Sequence, residues 1–188
     1  MREVTVLGAG GWGTALAIHV GRLGTPVRLW GRNAALVATL RDERRNQAYL
    51  ADVMFPPALT PTTSLEDALA TADCVVSAVP SHGTREVMRR AAPLMRPDVT
   101  IISATKGFEG GTLHRMSEVI QQEAGPSRST AVLSGPVSRR SWREGRPPRC
   151  SSPARRLMSP FGSKRTSGRP ISGSTRATMS SGLRWAAP

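Results

Sequence analysis

The chain has 188 residues and a formal charge of +13, room for one ordinary domain with or without a tail. The charge sits at one end: residues 1–136 carry 14 Lys+Arg against 12 Asp+Glu, while residues 137–188 carry 12 against the single acid Glu144. Basicity therefore gives no reason to read the first 136 residues as a nucleic-acid scaffold, and no apolar run approaches the about 20 residues that a bilayer span needs.

In chain order, Val4–Leu7 is a short, mostly β-branched run that ends in Gly8-Ala9-Gly10-Gly11-Trp12-Gly13. This glycine turn comes before any signal-peptide core could form. Thr14 to Leu23 is apolar at helical spacing, with Gly24 as a natural C′ residue. Pro26–Trp30 reads as a second strand, and residues 33–44 as a second helix with Leu36, Val37 and Leu40 on one face. Pro56, Pro57 and Pro61 mark an irregular link. Ser64–Leu69 reads as a capped helix, Ser64 at N-cap and Asp67 at N3. Then follow a strand Cys74–Val79, a helix Thr84–Ala92, a strand Val99–Ser103, a helix Leu113–Glu123 and a strand Thr130–Leu133.

Apolar strands alternating with helices predict an α/β fold: a doubly wound, mostly parallel sheet of Rossmann-like type, covered by helices on both faces. Cys74 and Cys150 have neither disulfide-framework nor metal-site spacing, and a cytoplasmic, reduced protein is the expectation.

The chemistry-bearing motif is Gly8-x-Gly10-x-x-Gly13. Alone it is weak; after a strand, opening a helix in a βαβ unit, it predicts a dinucleotide site. The first glycine permits the tight turn, the second lets a pyrophosphate approach the backbone, and the third lets helix pack on strand. The phosphates would meet free N–H groups and the positive end of the helix. Arg32, at the end of the second strand, favours NADP or tolerance of both NADP and NAD; the alternative is a solvated loop arginine. His82, after the strand ending at Val79, is read first as a structural or wall-forming residue and second as an acid or base. Lys106 ends the next strand at the same sheet edge. It is either surface charge or a group that polarises a carbonyl or binds phosphate.

Seven stretches, V-L-G-A-G-G-W-G-T-A-L-A, L-W-G-R-N, R-N-Q-A-Y-L, A-V-P-S-H, P-L-M-R-P, S-A-T-K-G-F-E and L-S-G-P, together resemble the bacterial NAD(P)-dependent glycerol-3-phosphate dehydrogenase family over residues 4–136. The resemblance implies NAD(P)H-dependent reduction of dihydroxyacetone phosphate to sn-glycerol 3-phosphate, a phospholipid precursor. It implies cofactor contacts at Gly11, Trp12 and Arg32, with Tyr49 a weaker candidate. Lys106 would contact both cofactor and substrate, and Gly135 would be a substrate-side backbone position. The family pattern continues S-F-A-x-E into a helical substrate domain that carries the catalytic lysine in an A-L-K-N stretch. None of that is found in this chain, so no catalytic residue is assigned.

After Pro136 the sequence turns Arg/Ser/Pro/Gly-rich and loses apolar periodicity. Residues 137–188 are expected to be a disordered basic tail. Re-read one base out of frame, with free choice of wobble positions, the region after Pro136 yields S-F-A-Q-E. The region before Pro188 yields D-V-V-G-V-E-V-G-G-A, which resembles the family string just before A-L-K-N. The expectation is therefore a frameshift near codon 136. It leaves an incomplete domain over 1–136, no helical domain and no turnover. The family is often homo-oligomeric, which is not expected here. A small-molecule substrate is the expected partner, with no membrane and no specific nucleic acid. Non-specific nucleic-acid binding through the tail is the rival reading.

Overall fold

The structure, a computed structural model, describes residues 3–133. The expectations for residues 137–188, and for Gly135, lie outside the described residues.

The chain opens with β1 (Glu3–Leu7), α1 (Gly11–Arg22), β2 (Val27–Trp30) and α2 (Ala34–Glu43). A small antiparallel ribbon follows, β3 (Arg45–Asn46) and β4 (Ala51–Met54), with the one-turn α3 (Gln47–Leu50) between them. Next come β5 (Leu59–Thr62), α4 (Leu65–Leu69) and β6 (Ala72–Ser77). The described part closes with α5 (Ser81–Ala91), β7 (Thr100–Ser103), α6 (Met116–Ala124) and β8 (Thr130–Val132).

Six strands form one sheet in the order β5-β2-β1-β6-β7-β8, every neighbouring pair parallel. The expected doubly wound sheet is therefore present. One apolar cluster holds Leu7, Val75 and Ile101 against Leu69, Met88 and Ile120 of α4, α5 and α6. The other holds Val4, Val6, Leu29 and Val76 against Leu16, Ala17 and Ile18 of α1, with Leu40 of α2. The central strands are thus covered on both faces, which explains why they read as continuous apolar runs.

Local chemistry sets several boundaries. The Ser64 hydroxyl accepts from the Asp67 amide at 3.0 Å, the N-cap expected from the sequence. The Asn33 side chain does the same for Leu36 at 3.1 Å. Helix α2 ends at Arg44, whose φ of 53° is unusual for a residue with a Cβ. Its guanidinium donates to the carbonyls of Leu59 (3.0 Å) and Pro56 (2.8 Å), holding the chain in that conformation.

Four expectations need correction. The proline-marked link contains a strand: β5 pairs with β2, Leu29 opposite Pro61, and Pro61 is tolerated because β5 is at the sheet edge. The strand expected to run to Val79 stops at Ser77. Helix α5 starts at Ser81 rather than Thr84, directly after Pro80, which stands at the N-cap position with φ −54° and makes no side-chain cap. Helix α6 starts at Met116 rather than Leu113, because Leu113 has φ +59° and Glu118 reaches back to the Arg115 amide at 2.8 Å. The 45–54 ribbon was not anticipated at all.

Candidate functional site

Strand β1 is flanked by β2 on one side and β6 on the other, so the strand order reverses there. The carboxyl edge at such a point opens a crevice, the usual ligand site of this architecture. The glycine turn leaves β1 at this edge. Gly8 has φ +114°, and a Cβ there would lie 2.8 Å from the Ala78 carbonyl oxygen. A Cβ on Gly13 would come within 1.8 Å of the Gly8 oxygen. Both are glycines because the protein's own backbone passes too close for anything larger.

Gly10 is different. Its φ of −75° suits any residue, and a Cβ there would meet nothing within 4 Å. Nothing inside the protein demands glycine at this position; the room is on the crevice side. Within the described residues the Gly10 and Gly11 amides have no hydrogen-bond acceptor. They stand at the positive end of α1, ready for an anion.

The crevice has a volume of about 820 Å³. Gly8, Gly10, Gly11, Trp12, Arg32, Tyr49 and Lys106 all line it, together with His82. Sequence reasoning named each of these, and the fold brings them together from separate elements. Gly13 lies beneath the turn rather than on the wall. The Tyr49 ring lies on Gly11, where a Cβ would be 3.4 Å from its Cδ1. Trp12 Nε1 donates to the Ala104 carbonyl at 3.0 Å, binding the start of α1 to the end of β7.

Charge at the rim is positive. Arg32 and Lys106 are both exposed, and neither has an acidic partner among the described residues. His82 is exposed as the second residue of α5, with no hydrogen-bonded partner among the described residues to orient its ring. No group of three His, Cys, Asp or Glu among the described residues could hold a metal. No helix among them is long and apolar enough to cross a membrane.

Two supports were missed in the sequence. The Thr105 hydroxyl donates toward the carbonyls of Val79 (2.7 Å) and Ser77 (3.2 Å), tying the Lys106 loop to the end of β6. Asn46, fully buried, donates from Nδ2 to the Ala9 carbonyl (3.2 Å) and to the Thr14 hydroxyl (2.9 Å). An asparagine in a stretch with no predicted element carries no periodicity to reveal it. Burial and the contact emerge only when the 45–54 ribbon folds back under the turn.

Comparison with known proteins identifies the family. A family model described as "NAD-dependent glycerol-3-phosphate dehydrogenase N-terminus" matches residues 3–140. The chain belongs to this glycerol-3-phosphate dehydrogenase family. The glycerol-3-phosphate dehydrogenase [NAD(P)+] of Pseudoalteromonas translucida is 44% identical over 144 residues, 77% of this chain and 43% of that protein. The corresponding protein of Corynebacterium jeikeium is 42% identical over 148 residues, 78% of this chain and 45% of that one. Among solved structures, the glycerol-3-phosphate dehydrogenase of Coxiella burnetii superposes with a TM-score of 0.70 at 33% identity. The match covers 75% of this chain and 43% of that one. The chain thus spans less than half the length of the curated relatives it matches.

Proposed function

We propose that residues 3–133 hold NADP or NAD across the carboxyl edge of β1, β2, β6 and β7. Gly10 carries this reading. It is the fingerprint glycine that the protein itself does not require, and the space beside it opens onto the crevice. In this reading the Gly10 and Gly11 amides bind the pyrophosphate. Arg32 lies at the ribose end, where it would meet a 2′-phosphate. Trp12 and Tyr49 wall the site, and Lys106 stands at the opposite end, beside cofactor and substrate. Gly135 is proposed as a substrate-side backbone position.

The proposed activity of the family to which the chain belongs is reduction of dihydroxyacetone phosphate to sn-glycerol 3-phosphate, the bound dinucleotide supplying the hydride. The 188 residues contain no A-L-K-N stretch, and hydride transfer depends on a substrate held in place. We therefore expect this 188-residue chain by itself to bind cofactor without turning over. A cytoplasmic setting agrees with Cys74, a free thiol among the described residues.

Titrating the purified chain with NADPH and NADH, following cofactor fluorescence, tests the binding. Saturable binding supports the site. Folded protein with affinity for neither coenzyme would overturn it. Adding dihydroxyacetone phosphate to the same sample should produce no oxidation of NADPH.

A further inference from the structure

Beneath the glycine turn, three polar groups form a closed triangle. Asn46 Nδ2 donates to the Ala9 carbonyl at 3.2 Å and to Thr14 Oγ1 at 2.9 Å. The Thr14 hydroxyl, having accepted from Asn46, donates to the same Ala9 carbonyl at 3.4 Å. Asn46 and Thr14 are both wholly buried, and Asn46 Oδ1 has no hydrogen-bond partner within the described residues. An amide buried with one oxygen unmet destabilises the interior compared with an apolar group of the same size. Packing alone does not explain an asparagine here.

We infer that Asn46 is a positioning residue for the diphosphate of the bound dinucleotide, acting through the Ala9–Gly10 peptide; the inference rests on the cofactor reading above. The peptide is trans, so its C=O and N–H point in opposite directions. Two buried donors pull the Ala9 carbonyl inward, beneath the turn. The Gly10 amide is thereby turned outward, to the crevice that Gly10 lines. Asn46 lies on the 45–54 ribbon, which also places Tyr49 on Gly11. One inserted segment thus holds the anion-binding turn from below and covers it at the rim.

The test uses the full 188-residue chain and two probes, ADP-ribose, which has the diphosphate, and adenosine, which lacks it. Asn46→Leu keeps the branched side-chain shape, with somewhat larger volume, and removes the donor. It should keep or raise the melting temperature, weaken ADP-ribose and NADPH binding about tenfold, the loss of a good charge-assisted hydrogen bond, and leave adenosine unchanged. A purely structural asparagine would instead lower the melting temperature and show no selectivity between the probes. Thr14→Val should repeat the selective loss and Thr14→Ser should restore binding, which decides the matter should Asn46→Leu fail to fold. Wild-type affinity for ADP-ribose in both Asn46→Leu and Thr14→Val would overturn the inference while leaving the cofactor reading intact. A parent chain that binds no dinucleotide would overturn the cofactor reading and, with it, this one.

Discussion

Arg85 and Glu109 meet in a two-pronged ion pair, Nε to Oε1 at 2.6 Å and Nη2 to Oε2 at 2.8 Å. Arg85 is on α5, and Glu109 follows Lys106 by three residues, so the pair pins the loop that carries that lysine. A third contact from Arg85 Nη1 reaches Glu123 of α6 at 2.5 Å. Bidentate arginine–carboxylate geometry makes this a directional clamp rather than a loose surface attraction.

The clamp predicts a pH signature. The Arg85 guanidinium, helped by the Thr112 hydroxyl, holds the Glu109 carboxyl down at about 2, against an ordinary 4.5. A lowered folded-state value means that the contribution to stability is complete above about 4.5 and is lost as the pH falls toward 2. Carbon NMR titration of Glu109 should show its midpoint near the lower value. In Arg85→Gln the midpoint should return to the ordinary carboxylate range; an unchanged midpoint would refute the clamp.

Gly10 and Gly13, two of the fingerprint glycines, should separate by function. Gly13→Ala forces a Cβ to within 1.8 Å of the Gly8 oxygen and should cost roughly 1–3 kcal/mol, lowering the melting temperature by several degrees. Gly10→Ala has open space around it and should melt as the parent does, while losing affinity for NADPH. Calorimetry alongside a fluorescence titration distinguishes them, and equal melting losses in both variants would contradict the assignment.

At the ribose end, Arg32→Ala should weaken NADPH about tenfold or more, the usual range for a hydrogen bond to a charged group. NADH, which has no 2′-phosphate, should change far less. Parallel titrations with the two coenzymes decide this, and equal losses would move Arg32 out of the 2′-phosphate role.

The cap on α4 offers a control away from the crevice. Ser64→Ala removes the acceptor for the Asp67 amide, 3.0 Å away, and should cost about 1 kcal/mol. Thermal melting should fall by a few degrees and coenzyme affinity should not move.

What could be read from the residues follows from range. The central strands announce themselves because burial on both faces removes all polar alternation, as in Val75 and Val76. The glycine turn is legible because its spacing falls within six residues, although part of its cause, the Ala78 carbonyl against Gly8, lies far along the chain. The edge strand Leu59–Thr62 was hidden because proline usually ends a ladder, and only its place beside β2 makes Pro61 acceptable. The start of α6 was misplaced because Leu113 matches the apolar period yet is 75% exposed in a turn. Asn46 and Arg85 act on partners 37 and 24 residues away. Such pairings depend on tertiary register and leave no local trace.

The sealed margin of the sheet at β5 has a further consequence. Pro61 offers no amide, while the Leu59 carbonyl is occupied by Arg44 and the Pro61 carbonyl by Arg41 at 3.5 Å. An extended segment from another molecule would find no free ladder to zip onto along this side, and two cations would repel basic intruders. Strand addition along this margin is therefore disfavoured by the side chains themselves.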